Sequence, residues 1–470
     1  MSTVPKPNLD IPITAFEQLT DFFRQGARPP EDWGIGAEME KLVIDARTGE
    51  TAEFARIEQL LNRLADQGGW QRIVERGRTI GLKGPHSSVT LEPGGQLELS
   101  GQLCPDLCCN YGDYLRYVTA AVAIGRDLGL MFLGLGAQPF TPLENIAWVP
   151  KARYGIMGPY MTRTGDMGQR MMKQSAGLQV NLDFSDEADC MAKMRLVQAM
   201  APLLFALFAN SPILEDRPTG FLSTRGEIWS RTDNDRTGLL PFLERPDAGF
   251  RDYVNYALHV PMYMIIRNGE YIDLTKERFS FDDYLQRGYQ NHRPTLSDWD
   301  THLSTLFPEV RLRPQIEVRS ADSLPPHMAL TVAAFLKGIL YDRQSRELAW
   351  ELCRAETFEQ LNTLCRAAWQ DGLQAAWRQG TLHDLARECL ALAQDGLDRQ
   401  SQQWQHGINE RQFLDSLVGI VDSGVTLAET LLRKWQGDRQ AKMALLEQHC
   451  GFPGKLGLTE SGDCAEPTTD

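Results

Sequence analysis

Four short segments of this 470-residue chain carry charged or amide side chains at alternate positions. Glu38 and Glu40 flank Met39. Gln96, Glu98 and Ser100 alternate with Leu97 and Leu99. Gln179, Asn181 and Asp183 alternate with Val180 and Leu182. Arg311, Arg313, Gln315, Glu317 and Arg319 stand opposite Leu312, Ile316 and Val318. A period of two puts each set on one face of a strand. A polar strand face can simply be solvated, but Glu, Asp, Asn and Gln are poor strand formers, and a solvated face would more naturally carry Thr or Lys. Repeated carboxylates and amides read instead as an oxygen-rich cavity for a hard divalent cation, with nucleotide phosphates as further ligands. Pro93-Gly94-Gly95 marks a bulge or bend that re-aims Glu92.

Two glycine-containing basic segments accompany these strands. Residues 165–173 hold Arg170 and Lys173, and residues 222–238 hold Arg225, Arg231 and Arg236 beside Trp229. Guanidinium forks match carboxylates and phosphates; a surface salt-bridge loop is the competing reading. The sequence has no GxxxxGK[ST] loop, no HExxH and no G-x-S-x-G elbow, and His86, His259 and His292 are scattered, which reads as structural.

These side chains need a frame. Apolar periodicity predicts helices over 15–26, 54–67, 111–128, 188–209, 326–344, 357–377, 382–395, 409–421 and 425–436. Thr14 and Glu17 have capping-box spacing for the first of them. Strands are expected at 34–45, 88–91, 96–100, 131–136, 178–184, 260–267 and 311–319. Strands fill the first 320 residues and helices the remainder, an α+β order with an antiparallel or mixed sheet. The expected organisation is a flexible leader (1–13), a single catalytic domain (14–455) and a disordered tail (456–470).

Composition narrows the partners. Apolar residues make up 42% and charged residues 23%, and the net charge is −14. An acidic surface argues against nucleic acid or an anionic membrane as partner. The apolar runs, such as 203–209, are too short for a bilayer, and the N-terminus lacks a secretory pattern, so the expected compartment is the cytoplasm. Nine cysteines without a paired CxxC pattern read as reduced, partly buried thiols, with a redox disulfide as the alternative the sequence leaves open.

The run Val89-Thr90-Leu91-Glu92-Pro93-Gly94-Gly95-Gln96-Leu97-Glu98-Leu99-Ser100 resembles the signature of the plant-type glutamate–cysteine ligases, which also occur in proteobacteria. Further segments match in the same order: Gly36 to Glu40, Arg153 to Met157, Gln179 to Asp183, Ile228-Trp229 with Thr232 to Gly238, Val260 to Tyr263, and Ile316 to Asp322. The likeness runs from about residue 30 to 440. Differences stand at Ser175-Ala176-Gly177 (Thr-Cys-Thr in the family), at His259 (Asp in the family) and near Gln315, where the family has an aromatic.

The resemblance implies a carboxylate–amine ligase related to glutamine synthetase. Its curved, mainly antiparallel sheet would form a funnel, with helices outside and a helical C-terminal part. The implied reaction is ATP-dependent joining of the glutamate γ-carboxylate to the amine of cysteine, the first step of glutathione synthesis. It implies two or three Mg2+ ions on Glu38, Glu40, Glu92, Glu98, Gln179 and Glu317. Arg319 and Arg236 would stabilise the transferring phosphoryl group. Lys83, Lys173 and Arg311 would bind ATP, and Arg225, Trp229 and Tyr263 the amino-acid substrate. A same-fold ligase using another amine, or a nucleotide-binding sensor without turnover, is the alternative. The expected assembly is a monomer or homodimer.

Overall fold

In the computed structural model, residues 9–85, 87–403 and 409–453 are described. Residues 1–8, His86 and the expected tail lie outside them.

The scaffold is an open nine-stranded sheet. Its strands are β1 (Ile35–Asp45), β2 (Gln71–Glu75), β3 (Arg78–Lys83), β4 (Ser88–Leu91), β5 (Leu97–Ser100), β6 (Leu130–Leu133), β7 (Gly177–Leu182), β14 (Val310–Leu312) and β15 (Ile316–Asp322). They follow the order β14-β15-β7-β1-β5-β4-β3-β2, with β6 added beside β1. All these neighbours run antiparallel. The long β1 is central because its first half pairs with β5 and β7 and its second half with β6. Four short pairs lie elsewhere among the described residues: β8 (Ile213–Leu214) with β9 (Arg217–Pro218), β10 (Thr237–Gly238) with β13 (Phe307–Pro308), β11 (Met264–Arg267) with β12 (Glu270–Asp273), and β16 (Ala376–Trp377) with β17 (Gly380–Thr381).

Alternation does here what it promises. Ala37 and Met39 of β1, Leu97 and Leu99 of β5, and Leu178, Val180 and Leu182 of β7 enter one hydrophobic core, which leaves the polar set on the other face. Among the described residues, seventeen α-helices accompany the sheet: α1 (Glu17–Arg24), α2 (Phe54–Asp66), α3 (Leu107–Asp127), α4 (Tyr154–Thr164), α5 (Gly168–Gln174), α6 (Glu187–Leu207), α7 (Thr224–Ser230), α8 (Phe250–His259), α9 (Phe281–Arg287), α10 (Leu296–Leu303), α11 (Thr331–Leu340), α12 (Arg343–Cys353), α13 (Phe358–Asp371), α14 (Leu382–Gln403), α15 (Asp415–Ser423), α16 (Leu427–Lys434) and α17 (Arg439–Cys450). Among the described residues, α6 alone is long and apolar enough to cross a membrane, and most of it is buried in the core.

Several expectations change. The strand foreseen over 311–319 is the β14–β15 hairpin. Pro314 has no N–H for a ladder, and the chain turns there through a bond from Arg313 N–H to the Gln315 carbonyl (2.9 Å). The basic segment 165–173 is largely helix α5, and 222–238 contains helix α7. The Thr14 cap is completed by Gln18, whose Oε1 accepts from Thr14 N–H at 2.7 Å, rather than by Glu17. Residues 9–13 are not a loose leader: Ile13 N–H bonds to Pro294 O, and Ile11 and Leu9 carbonyls accept from Leu296 and Ser297. The preferred reading of reduced thiols gives way at one pair to the disulfide alternative, since Cys104, bridged to Ile35 at the start of β1, forms a disulfide with Cys109 in the first turn of α3. Cys190, Cys353, Cys365, Cys389 and Cys450 are buried free thiols.

Candidate active site

Strand register assembles the acidic groups. Across one row, Thr90, Glu98 and Glu40 are direct cross-strand neighbours. Thr90 Oγ1 donates to Glu98 Oε2 at 2.5 Å. Glu40 accepts from Gly177 N–H at 2.6 Å and from the Gln179 amide at 2.8 Å. In the adjacent row Ser100, Glu38 and Gln179 are opposed, and Asn181 Nδ2 donates to Glu38 at 2.8 Å.

Glu92 joins them from the turn between β4 and β5. Gly95 sits at φ +90° and its N–H closes the turn onto the Glu92 carbonyl at 2.9 Å. A side chain at Gly94 would place its Cβ 2.3 Å from the Lys173 carbonyl, so only glycine lets helix α5 approach. Gln96 fastens the turn, accepting from Gly94 N–H and donating to the Met172 and Ser175 carbonyls (3.2 and 2.7 Å).

One cavity results. Its acidic wall is Glu40, Glu92, Glu98 and Gln179, and Arg319 and Trp229 line it too, with Met157, Met171 and Met172 among the apolar groups. The β15 ladder slips register between Val318 and Ala321, and the bulge aims Arg319 into the cavity. The Arg319 guanidinium contacts Glu317 and lies over the Trp229 and Phe307 rings (5.5 and 5.7 Å). Trp229 is carried by α7, whose start is capped by Ser223 and anchored to Asp322 (3.0 Å). Its indole Nε1 is buried and has no acceptor among the described residues, which leaves a donor for a ligand.

The electrostatics are those of a place that wants cations. Burial, then the Glu98 and Glu317 carboxylates, push Glu38 up to about 8. Burial, then Glu92 and Glu98, push Glu40 up to about 7. A hard divalent ion fits this oxygen set, and Glu40, Glu92, Glu98 and Gln179 are the residues that would hold it.

Other sequence candidates fall outside the lining. Glu317 is gripped by Arg311 in a bidentate pair at 2.6–3.0 Å and by Arg319, so Arg311 is spent on that carboxylate instead of facing a nucleotide. Arg236 is sealed between Asp233 (2.6 Å), the Pro261 carbonyl (2.8 Å) and the Tyr263 ring, which removes both Arg236 and Tyr263 from the cavity wall. Lys173 points its ammonium at the Leu143 and Ile146 carbonyls (2.7 and 3.0 Å). Lys83 is exposed at the end of β3. Arg225 lies behind Gly177 and donates to the Arg319 carbonyl at 3.0 Å.

Sequence reasoning gave no role to Tyr154, Met157, Met171, Met172, Ser175 or Phe307, which also line the cavity beside Gln96. The signal available was the segment Arg153 to Met157, which carried the likeness without an assigned task. The helical residues among them become neighbours of the cavity only through packing.

The description "Glutamate-cysteine ligase family 2" matches residues 34–447, most of the chain. The chain belongs to glutamate–cysteine ligase family 2. It is 40% identical over 432 residues to the chloroplastic glutamate–cysteine ligase B of Oryza sativa subsp. japonica, covering 90% of this chain and 85% of that one. It is 39% identical over 429 residues to the chloroplastic enzyme of Medicago truncatula, covering 91% and 83%. These names overturn the expectation of a cytoplasmic protein, because the relatives are chloroplastic, and no cytoplasmic assignment is kept. The fold is also that of the glutamate–cysteine ligase of Francisella tularensis, solved in complex with AMP, at TM-score 0.52 and 13% identity over 89% of this chain and 88% of that one. As a member of the family the chain is a glutamate–cysteine ligase, and the activity of the family is the first step of glutathione synthesis.

Proposed function

We propose that this glutamate–cysteine ligase works through a γ-glutamyl phosphate made from ATP in the cavity walled by Glu40, Glu92, Glu98 and Gln179. The observation that carries the reading is the convergence of three carboxylates and an amide on one wall, with the Arg319 guanidinium in the same cavity. Residues 14–455 act as one catalytic unit, supported by the large core that runs from Leu19 to Val421 and by a second apolar cluster that joins Leu42, Ile44 and Leu133 to Leu431, Met443 and Leu446.

A carboxylate is a poor electrophile, so its oxygen first attacks the γ-phosphorus of ATP and ADP departs. The cysteine nitrogen then attacks the carbonyl carbon, the carbon–oxygen bond to phosphate breaks, and the amine proton is lost. The protein's share is positioning and charge balance. Magnesium held on the acidic wall would supply screening between the γ-phosphate and the incoming carboxylate. Arg319 presents a planar fork to the transferring group and keeps it oriented by its own contact with Glu317. Trp229 closes the apolar side and offers its free indole N–H to a substrate oxygen. Arg225 and Gly177 back the wall behind Glu40.

The test is ADP release with ATP, Mg2+ and glutamate, with and without cysteine. Release that needs both amino acids, with γ-glutamylcysteine seen by mass spectrometry, is expected. Release that needs glutamate and ignores cysteine would transfer the reading to another amine. No release would end it.

A further inference from the structure

The turn that delivers Glu92 is held by a segment to which the mechanism assigns nothing. Lys151 is buried, and its Nζ donates to the Leu91 carbonyl at 2.7 Å. The Tyr154 hydroxyl donates to the same oxygen at 3.0 Å. Both lone pairs of that carbonyl are therefore used, one by a charged donor. At the other end of the same peptide, the Glu92 N–H donates to the Gln96 carbonyl at 2.9 Å. A peptide unit is rigid and planar, so fixing its C=O and its N–H fixes the Cα of Glu92. The next unit is held as well, since the Glu92 carbonyl accepts from Gly95 N–H at 2.9 Å, and beyond the locked φ of Pro93 the following unit is fixed by Val149 N–H, which donates to the Pro93 carbonyl at 2.9 Å.

Glu92 thus stands between two clamped peptides, the first held from outside the turn by Lys151 and Tyr154, while Val149 of the same segment fixes the peptide after Pro93. The segment is itself tied down, because Ala152 N–H donates to Glu75 on the edge strand β2 at 2.5 Å.

We infer that Lys151 is a positioning residue: its ammonium holds the Leu91–Glu92 peptide so that the Glu92 carboxylate faces the acidic cavity, and it thereby sets the affinity of that cavity for a divalent cation. The inference rests on the reading that the cavity binds such a cation. A neutral Tyr donor alone is a weaker clamp, since a hydrogen bond from a charged donor is about twice as strong. Groups that orient a ligand commonly change metal affinity by about 10–100-fold.

The experiment is titration of the purified full chain with Mn2+, free ion being read by electron paramagnetic resonance, beside thermal unfolding. Lys151→Met is expected to raise the Mn2+ Kd by about tenfold or more. Lys151→Arg, which keeps a charged donor, should recover most of it. Tyr154→Phe, which leaves one donor on Leu91, should give a smaller rise. Combining Lys151→Met with Glu92→Gln should weaken binding no further than the worse single change, because Lys151 acts through Glu92. Wild-type Mn2+ affinity in a folded Lys151→Met protein overturns the inference, as does full additivity with Glu92→Gln. Should Lys151→Met not fold, an unchanged Kd in Tyr154→Phe overturns it. A wild-type protein that binds no Mn2+ overturns the cation reading and this role with it, so the two failures are distinct.

Discussion

Arg311 and Glu317 face each other directly across the β14–β15 hairpin, and the guanidinium holds the carboxylate through two nitrogens at 2.6–3.0 Å. Both side chains are almost wholly buried. Removing one member of a buried pair leaves the other charge uncompensated, which costs about 3–5 kcal/mol. Arg311→Met should therefore lower the unfolding free energy by about that amount, measured by urea denaturation. A loss near zero would mean that Arg319 alone satisfies Glu317.

Glu98 is the most enclosed carboxylate of the cavity wall, fixed by Thr90 and opposite Glu40. Glu98→Gln keeps an oxygen for the Thr90 hydroxyl while removing a charge. The variant should unfold at nearly the wild-type temperature, with kcat down by more than about tenfold, at least 1.4 kcal/mol in the barrier. Near-normal turnover would remove Glu98 from the cation site.

Arg319 reaches Glu317 and Gln179 (3.5 Å) from one planar group that also lies over Trp229. A lysine ammonium is a compact point charge that cannot span these contacts. Arg319→Lys should cut kcat more than it raises the KM for ATP. An unchanged kcat would exclude Arg319 from phosphoryl transfer.

Gly177 is packed closely against the Arg225 side chain. A Cβ there would lie 2.6 Å from the Arg225 guanidinium, which fills the space and donates to the Arg319 carbonyl. The far end of an arginine can move aside, so Gly177→Ala should fold. Its cost should appear in the KM for glutamate, because Arg225 and the adjoining Glu40 contact shift together. Equal KM in both proteins would separate Arg225 from substrate binding.

Two histidines predict acid sensitivity. Burial pulls His302 down to about 3, and its Nε2 pairs with the Ala257 carbonyl at 2.8 Å. Burial, then His327, pulls His449 down to about 4. The native fold keeps both neutral, so their contribution is present above about 6.5, the unfolded value. It is lost as pH falls from there toward 3 to 4, at roughly 1 kcal/mol per unit for each group. Melting temperature should fall over that window, and His302→Gln should flatten the slope. A slope unchanged by that variant would place the sensitivity elsewhere.

Much of the site was legible before any coordinates. Alternation alone placed Glu38 with Glu40, and Gln96 with Glu98, on shared faces, since a strand can do nothing else with a period of two. Proline punctuation at 93 and 314 was equally plain, yet only the first was read as a bend. Over 311–319 the pattern fitted one strand as well as a hairpin, because a tight turn can return the chain with the polar face preserved. Edge strand β2 and its neighbour β3 went unseen, as did α4, α5 and α7, which are short or lack a clean amphipathic stripe.

By itself, then, the sequence determined the chemistry available: which residues are acidic, which alternate, and the α+β order that carries them. Tertiary structure decided which charges are free to act. Lys173, Arg236 and Arg311 are cations in suggestive places along the chain, yet each is consumed by a nearby carbonyl or carboxylate. Arg319 reaches the cavity only because β15 bulges, and Glu92 only because its peptide is clamped by Lys151 and Tyr154. Hydrogen-bond partners that are far apart in sequence cannot be read from local spacing; they exist only once the sheet and the segments packed on it have met.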